Sequence, residues 1–320
     1  MNFYQKRLNK LRRHFYVFNR HLTPSKIINI AKSEANFRLN KKVVNSKPYA
    51  LKIETTVLCN LRCPGCFRTE NALSSEEKFM TLEQYKKIID PLAPYLLEIS
   101  LYDQGEPLLH PKVFEFLEYN SQKNIGTIVS SNFAMKLSDE KLEKLIKSGL
   151  DYLIVAIDGI KQETYEKYRV GGKLETLLDN LKRLIAIKKK LNSKRPYVEW
   201  QMVDFDWNKE EQPEAEKIAK EIGCDFFKTV VNGYTLNCNE SHRRTKRCPV
   251  LWSTFTVEFD SSVSACYVND DETLYVGDLK KQSVLEVWNS KEYQFLRETH
   301  NNKEEGAKPS FCNRCEMFDK

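Results

Sequence analysis

No stretch of this chain approaches the roughly 18 consecutive apolar residues that a membrane-crossing helix requires, which excludes a helical membrane span. An apolar leader segment is also missing, so the expected location is the reducing cytoplasm, with peripheral contact at the inner face of the membrane kept open. In such a compartment nine cysteines are expected as metal ligands or buried thiols rather than disulfides. Acids are nearly absent from residues 1–48, where Glu34 stands alone against twelve Lys and Arg. That surplus exceeds the +7 of the whole chain, so residues 49–320 are net acidic. Aromatics at Phe3, Tyr4, Phe15, Tyr16 and Phe18 interleave with the N-terminal charges. Three readings fit this segment: a helical arm packed on the core or on a second subunit, contact with an anionic membrane surface, or binding of a polyanion. No nucleic-acid module accompanies it, so no nucleic-acid partner is expected, and it carries no strand signals of a winged helix.

With 41% apolar residues, the chain can build one large domain or two. Short β-like runs at 50–54, 97–102, 126–130, 152–157, 197–203 and 226–231 alternate with helical patterns at 81–90, 111–123, 138–148, 172–191 and 211–222. The longest helical pattern places Leu174, Leu177, Leu178, Leu181, Leu184 and Ile185 on one stripe. Six β-α repeats predict a parallel sheet flanked by helices, and six rather than eight predict an open, partial barrel. Functional residues are then expected at the C-terminal ends of the strands.

Three cysteines, Cys59, Cys63 and Cys66, follow the first strand in a C-x3-C-x2-C loop. Three thiolates on one loop can hold three irons of a cubane cluster and leave the fourth iron open to a small molecule. Zinc usually takes C-x2-C pairs and four ligands, and no fourth Cys or His is near this loop. After residue 240 the pattern becomes β-rich, with a predicted helix over 283–298 and four further cysteines, Cys248, Cys266, Cys312 and Cys315. Four thiolates suit zinc and an iron–sulfur cluster alike, and the residues alone leave both open. Cys224 reads as a small buried residue and Cys238 as a loop thiol.

The Cys59–Cys66 loop resembles the signature of the radical S-adenosylmethionine (radical SAM) superfamily. Gln104-Gly105-Glu106-Pro107 resembles its GGEP motif with Gln at the first position, and Ser130-Ser131-Asn132, Asp158-Gly159 and Tyr168-Arg169 follow in family order. The resemblance runs from about residue 51 to 231, and the C-terminal part is similar to a SPASM/twitch domain in its one-cluster form. It implies a partial (βα)6 TIM-like barrel over 49–235 and a small α+β auxiliary-cluster domain over 236–320, while residues 1–48 read from their own charge pattern as a basic helical arm. It implies a 4Fe–4S cluster on Cys59, Cys63 and Cys66 with S-adenosylmethionine (SAM), and a second 4Fe–4S cluster on Cys248, Cys266, Cys312 and Cys315. By resemblance, Gly105, Glu106 and their neighbours Gln104 and Pro107 hold the SAM amino group. Ser131 and Asn132 meet the ribose or carboxylate, and Arg169 pairs with the carboxylate. Gly65 stands where many members carry an aromatic near the adenine, and Phe67 is the ring offered in its place. The implied chemistry is oxidation of a carbohydrate- or cyclitol-like alcohol, with modification of a peptide as the alternative and flavodoxin or ferredoxin as electron donor. An alcohol oxidation needs a base, for which Asp158 and Asp204 are the candidates. Asp206, Gln201 and Asn208 are further polar candidates near the strand ends.

Overall fold

The computed structural model describes residues 16–70, 78–231, 248–266, 274–301 and 312. Nine strands run in chain order as β1 (Ala50–Ile53), β2 (Glu98–Ser100), β3 (Gly126–Ser131), β4 (Tyr152–Ala156), β5 (Tyr197–Asp204), β6 (Phe226–Val231), β7 (Thr254–Val257), β8 (Ser262–Ser264) and β9 (Tyr275–Asp278). The described residues fall into two compact units. The first draws on Met1–His21, Glu54–Phe79 and Leu101–Thr235, the second on Leu22–Ile53, Met80–Ser100 and Leu236–Lys320. These groupings follow contact in space, so they do not coincide with the chain-order divisions at 48 and 235.

In the first unit β3, β4, β5 and β6 lie side by side and parallel, with Ile128 opposite Tyr152, Tyr152 opposite Tyr197, and Glu199 opposite Phe226. The run Tyr-Leu-Ile-Val-Ala of β4 is buried at every position, as expected where both faces of a parallel strand are covered. Parallel neighbours need a crossover, and the helices Asp139–Lys147, Leu174–Lys190 and Gln212–Ile222 supply it. The Leu174–Lys190 helix turns Leu177, Leu181, Leu184 and Ile185 inward and carries Lys188, Lys189 and Lys190 in its last turn, where cations meet the carbonyl end of the helix dipole. Gly223, at φ +101°, ends the Gln212–Ile222 helix in the left-handed conformation that glycine adopts without strain. The N-terminal residues 16–21 are helical. Their His21 bonds the fully buried Asp151 at 3.0 Å.

In the second unit β1 pairs in parallel with β2 on one side and with β7 on the other, and β7, β8 and β9 continue antiparallel. The basic segment belongs here in part. The helix Pro24–Arg38 starts at the Thr23 cap, and Asn29 exchanges two hydrogen bonds with the Lys47 backbone at 2.9 and 2.8 Å. Trp252 donates its indole N–H to Lys41 O at 2.9 Å and meets Phe37 edge-on at 5.4 Å. Residues 24–47 thus pack as an arm on the C-terminal segment.

The single helix predicted over 283–298 is two, Val284–Trp288 and Lys291–Asn301. The break falls at Asn289-Ser290. Asn289 spends its side chain on both backbone groups of Val44, at 3.0 and 2.9 Å, and Ser290 Oγ accepts from Tyr293 N at 3.2 Å. Short polar side chains that capture backbone groups compete with the helix ladder.

Lys26 is 2% exposed, and burial lowers its pKa from 10.5 to about 8. Below pH 8 its ammonium is charged in both folded and unfolded chains, and the cost of burying it is present in full. Between about pH 8 and 10.5 the folded chain releases this proton first, so stability from this group rises with pH. In urea titrations across that window, Lys26→Met is expected to lose this upward component relative to wild type.

Candidate active site and cluster-binding thiols

The cysteine loop begins just past β1. Glu54, 3% exposed, accepts the backbone N–H groups of Gln104 and Gly105 on one oxygen, at 3.1 and 2.9 Å. Glu106 N–H bonds Leu58 O at 2.7 Å. The backbones approach so closely that a Cβ on Gly105 would lie 1.8 Å from Thr56 O, so only glycine fits there. Glu54 was not among the sequence candidates. Its signal is an acid closing an apolar strand, a group that must find donors if it is buried.

Glu106 is 2% exposed and gathers three donors: Leu108 N at 3.1 Å and Ser131 Oγ at 2.8 Å on one oxygen, and Asn132 N at 2.7 Å on the other. Burial pushes its pKa up, and these hydrogen bonds work against that rise. Pro107 follows Glu106 and opens the short 3-10 turn Pro107–Leu109. Asn132 Nδ2 reaches Asn60 Oδ1 at 2.9 Å and Cys59 Sγ at 3.7 Å, and Leu61 N donates to Cys59 Sγ at 3.5 Å. Gln104, Gly105, Glu106, Ser131 and Asn132 are thereby brought together with the cysteine loop.

Arg169 lies in the turn after the helix Gln162–Glu166. Its Nε donates to Asp158 Oδ2 at 2.5 Å, and an Nη reaches Cys63 Sγ at 3.9 Å. Burial works against the Arg169 charge, but the Asp158 carboxylate and then Cys63 and Tyr168 outweigh it and hold its pKa above the ordinary value. The neighbouring turn is tied to the cysteine loop by Arg62 N donating to Val170 O at 3.0 Å. Cys66 N bonds Cys63 O at 3.2 Å, with Gly65 at φ +73°. An aromatic residue at position 65 would have to adopt that left-handed backbone at a cost. The Phe67 side chain lies outside the described residues.

The proposed proton acceptors separate. Asp158 is fully buried, with one oxygen on Arg169 and the other accepting from Val203 N at 2.5 Å. Its position past the end of β4 is as expected, but its carboxylate anchors two groups. Asp204 ends β5, half-buried, and accepts from Gln212 Nε2 at 2.9 Å. Asp206 is exposed and bonded to Lys209 at 2.6 Å, which lowers its pKa. Asn208 is buried and ties Phe205 N, Asp158 O and Val203 O together. Gln201 is half-buried on β5. The sequence reading missed the aromatic run beside Arg169: Tyr168 and Phe205 lie 4.7 Å apart, and Phe205 stacks on Trp207 at 4.3 Å.

Cys59, Cys63 and Cys66 are free thiols. Burial pushes Cys59 up to about 11 and raises Cys63, whose shift the Arg169 charge opposes. A metal would displace those protons. Among the described residues no three His, Cys, Asp or Glu side chains group as a single ion requires. The sulfurs also receive N–H donors from Leu61, Asn132 and Arg169, the contacts that tune cluster sulfurs. The Tyr165 hydroxyl is buried without a hydrogen-bond partner among the described residues, within electrostatic reach of Arg169, Asp158, Cys63 and Glu106. An orphaned hydroxyl here fits a site built to receive another polar group. The residues present therefore fit a cluster with a polar cofactor.

In the second unit Cys248 and Cys312 are buried and Cys266 is half-buried, and none of the three is in a disulfide. Ser264 Oγ donates to Cys266 O at 2.8 Å and accepts from Cys266 N at 3.3 Å, presenting Cys266 just past β8. Cys315 and Cys238 lie outside the described residues. Cys224 is half-buried, and burial pushes its thiol up to about 12.

The radical SAM superfamily matches residues 53–196, and the SPASM iron–sulfur cluster-binding domain matches residues 248–316. The AdoMet-dependent heme synthase of Methanosarcina barkeri is 31% identical over 142 residues, 44% of this chain and 40% of that protein. The chain spans less than half the length of such curated relatives. Streptococcus suis SuiB bound to precursor peptide SuiA superposes with a TM-score of 0.63 at 15% identity, over 84% of this chain and 70% of that one. BtrN in complex with AdoMet and 2-DOIA gives 0.51 at 15% identity, over 80% and 88%. At such identities the likeness concerns the fold, an α/β architecture in which parallel strands predominate.

Removing one partner of a buried ion pair typically costs about 3–5 kcal/mol. Asp158→Asn is expected at the low end, about 3 kcal/mol, because the Arg169 side chain keeps 16% exposure. Anaerobic denaturant unfolding of wild type and variant measures this loss.

Proposed function

We infer a reaction for this chain, which is a radical SAM enzyme with a C-terminal SPASM iron–sulfur domain: it oxidises an alcohol carbon of a carbohydrate- or cyclitol-like substrate to a ketone. The observation that carries this reading is the division of seven cysteines into a loop of three and a separate set of four. When bound, a three-thiolate 4Fe–4S cluster with SAM supplies a 5′-deoxyadenosyl radical, and a four-thiolate cluster supplies an electron acceptor. Cys59, Cys63 and Cys66 take the first cluster, and Cys248, Cys266, Cys312 and Cys315 the second. The proposed domains are a basic N-terminal extension over 1–48, the partial barrel over 49–235 and the auxiliary-cluster domain over 236–320.

The chain's own residues bind and orient. The 104–107 backbone, pinned by Glu54, offers its groups to the SAM amino end, with Glu106 holding that loop against Ser131 and Asn132. Arg169 pairs with the SAM carboxylate, and Asp158 positions Arg169 rather than moving a proton. Asp204, half-buried at the end of β5, remains the candidate to take the alcohol proton. The substrate thus loses a hydrogen atom from carbon, a proton from oxygen and one electron. The likeness of fold to BtrN, solved with 2-DOIA, supports a small polar substrate.

A peptide substrate is the second reading, favoured by the likeness of fold to SuiB bound to its precursor peptide. The electron donor is a flavodoxin or ferredoxin in the cytoplasm. No helix among the described residues is long and apolar enough to cross a membrane. Contact with an anionic membrane surface through residues 1–48 is supported by Ile28 and Leu39, which stand exposed on a segment that also carries Lys32 and Arg38.

Anaerobic reconstitution is expected to load about eight irons per chain, four for each cluster. Dithionite with SAM then releases 5′-deoxyadenosine, and Cys63→Ala abolishes that release while keeping the second set of irons. Deuterium passing into 5′-deoxyadenosine from a deuterated cyclitol or sugar supports the first substrate reading, and transfer only from a deuterated peptide replaces it with the second. Full 5′-deoxyadenosine formation by Cys63→Ala would overturn the assignment of the site.

A further inference from the structure

The residues leading into β3, β4 and β5 meet around a polar cavity of about 500 Å³ that is open to solvent. It lies at the N-terminal ends of these strands, the end opposite to Ser131, Asn132 and Asp158. Arg20 and His21 border it from the N-terminal helical residues, Asn124 from the approach to β3, and Lys194 and Arg195 from the approach to β5. All of them belong to the first unit. The volume is in the range of small-molecule sites, but such sites are mostly apolar, and this one gathers three cations, Arg20, Lys194 and Arg195.

The cations are held in place by their surroundings. Val17 is fully buried with Ile128, Tyr152 and Ile154, and the Tyr16 hydroxyl donates to Lys194 O at 2.7 Å, so residues 16–21 are fixed against the approach to β5. Arg20 lies over the Tyr16 ring at 4.3 Å. Ser193 Oγ accepts from Arg195 N at 3.2 Å and donates to Arg195 O at 2.7 Å, which sets the turn that presents Arg195. Among the described residues one carboxylate reaches these cations, the fully buried Asp151. His21 Nε2 and Thr127 N occupy one of its oxygens, both at 3.0 Å, and Arg195 and Arg20 approach the other at 3.5 and 3.7 Å. The nearby Asp225 is engaged by Lys188 at 2.8 Å. Two guanidiniums thus crowd one oxygen at distances too long for good hydrogen bonds. Three cations against one carboxylate leave a surplus of two positive charges facing the cavity.

We propose that this cavity binds a phosphomonoester group, at the end of the strands remote from the cysteine loop. A dianionic phosphate matches the surplus charge. Its oxygens take the guanidinium N–H groups of Arg20 and Arg195 that Asp151 does not hold, a pairing to which the guanidinium fork is suited. Bound there, it relieves the repulsion between the two guanidiniums and joins the N-terminal helical residues to the approach to β5. The rest of the cavity and its open side leave room for the organic part of the ligand. That part belongs either to a soluble metabolite or to a lipid, and the phosphate chemistry is common to both. None of these residues takes part in the reaction proposed above, so the site stands or falls separately from that reading.

The test is calorimetric titration of reconstituted full-length protein with inorganic phosphate at low ionic strength, because salt weakens exposed charge pairs. Wild type is expected to bind phosphate saturably. Arg20→Gln and Arg195→Gln are expected to bind it about tenfold more weakly, the loss of one charge-assisted hydrogen bond. Lys194→Gln changes an exposed side chain away from Asp151, so it keeps the test decisive if an arginine variant fails to fold; it too is expected to weaken binding. Lys182→Gln removes an exposed charge outside the cavity and is expected to bind as wild type does. Sedimentation with phosphatidylcholine vesicles, with and without phosphatidic acid, separates the two sources. Retention that requires phosphatidic acid and is reversed by free phosphate supports the proposal with a lipid headgroup as ligand. Phosphate binding without retention supports it with a soluble phosphomonoester. Absence of saturable phosphate binding by wild type overturns the proposal. So does binding that Lys194→Gln and the folded arginine variants leave no weaker than Lys182→Gln does.

Discussion

A carboxylate with almost no access to water must find its hydrogen bonds within the chain or destabilise it. Glu106 meets that requirement with three donors from two stretches of chain: Leu108 N–H in its own following turn, and the Ser131 hydroxyl and Asn132 backbone N–H at the end of β3. Asn132 passes the constraint on to Asn60 and Cys59. Glu54 does the same for the preceding residues, and the contact between Gly105 and Thr56 leaves no room for a side chain. The thiols are therefore placed by a scaffold of buried acids. Changing either acid would reach the cysteine loop without touching a cysteine.

The parallel strands of the first unit were legible in the sequence because parallel strands buried on both faces read as short continuous apolar runs, and the helices between them as a 3.6-residue stripe. β4 and the Leu174–Lys190 helix show this most plainly. The cysteine spacing made the first site legible too. What stayed hidden was partnership. Nothing in the local pattern of Asp158 distinguishes a free base from a carboxylate closed on Arg169 and Val203. Asn208 likewise reads as a polar cavity residue yet is a buried clamp. Such roles depend on residues far away in sequence, which periodicity does not encode.

The break at Asn289 was hidden for the same reason. The apolar positions of 283–298 continue at helical spacing, but Asn289 has a stronger claim on Val44, 245 residues away, than on its own helix. The pairing of β1 with β7 is also non-local: Ala50 to Ile53 lie opposite Thr254 to Val257. Residues 22–53, the later part of the basic segment with β1, thereby share a unit with the second set of thiols. Cys59–Cys66 and the residues that support it belong to the other unit.

That pairing has a consequence for modularity. The SPASM match begins at residue 248, which invites treating everything after the barrel as a detachable cassette. β1 stands between β2 and β7, and the segment around Lys41 to Lys47 is bonded to Trp252, Asn289, Arg297 and Trp288. Grafting a foreign cassette from residue 236 onward would bare one hydrogen-bonding edge of β1 and strand those partners. An exchange of the C-terminal segment would therefore have to carry residues 24–53 with it, because β1 and the segment around Lys41 to Lys47 are fitted to β7 and to the two last described helices.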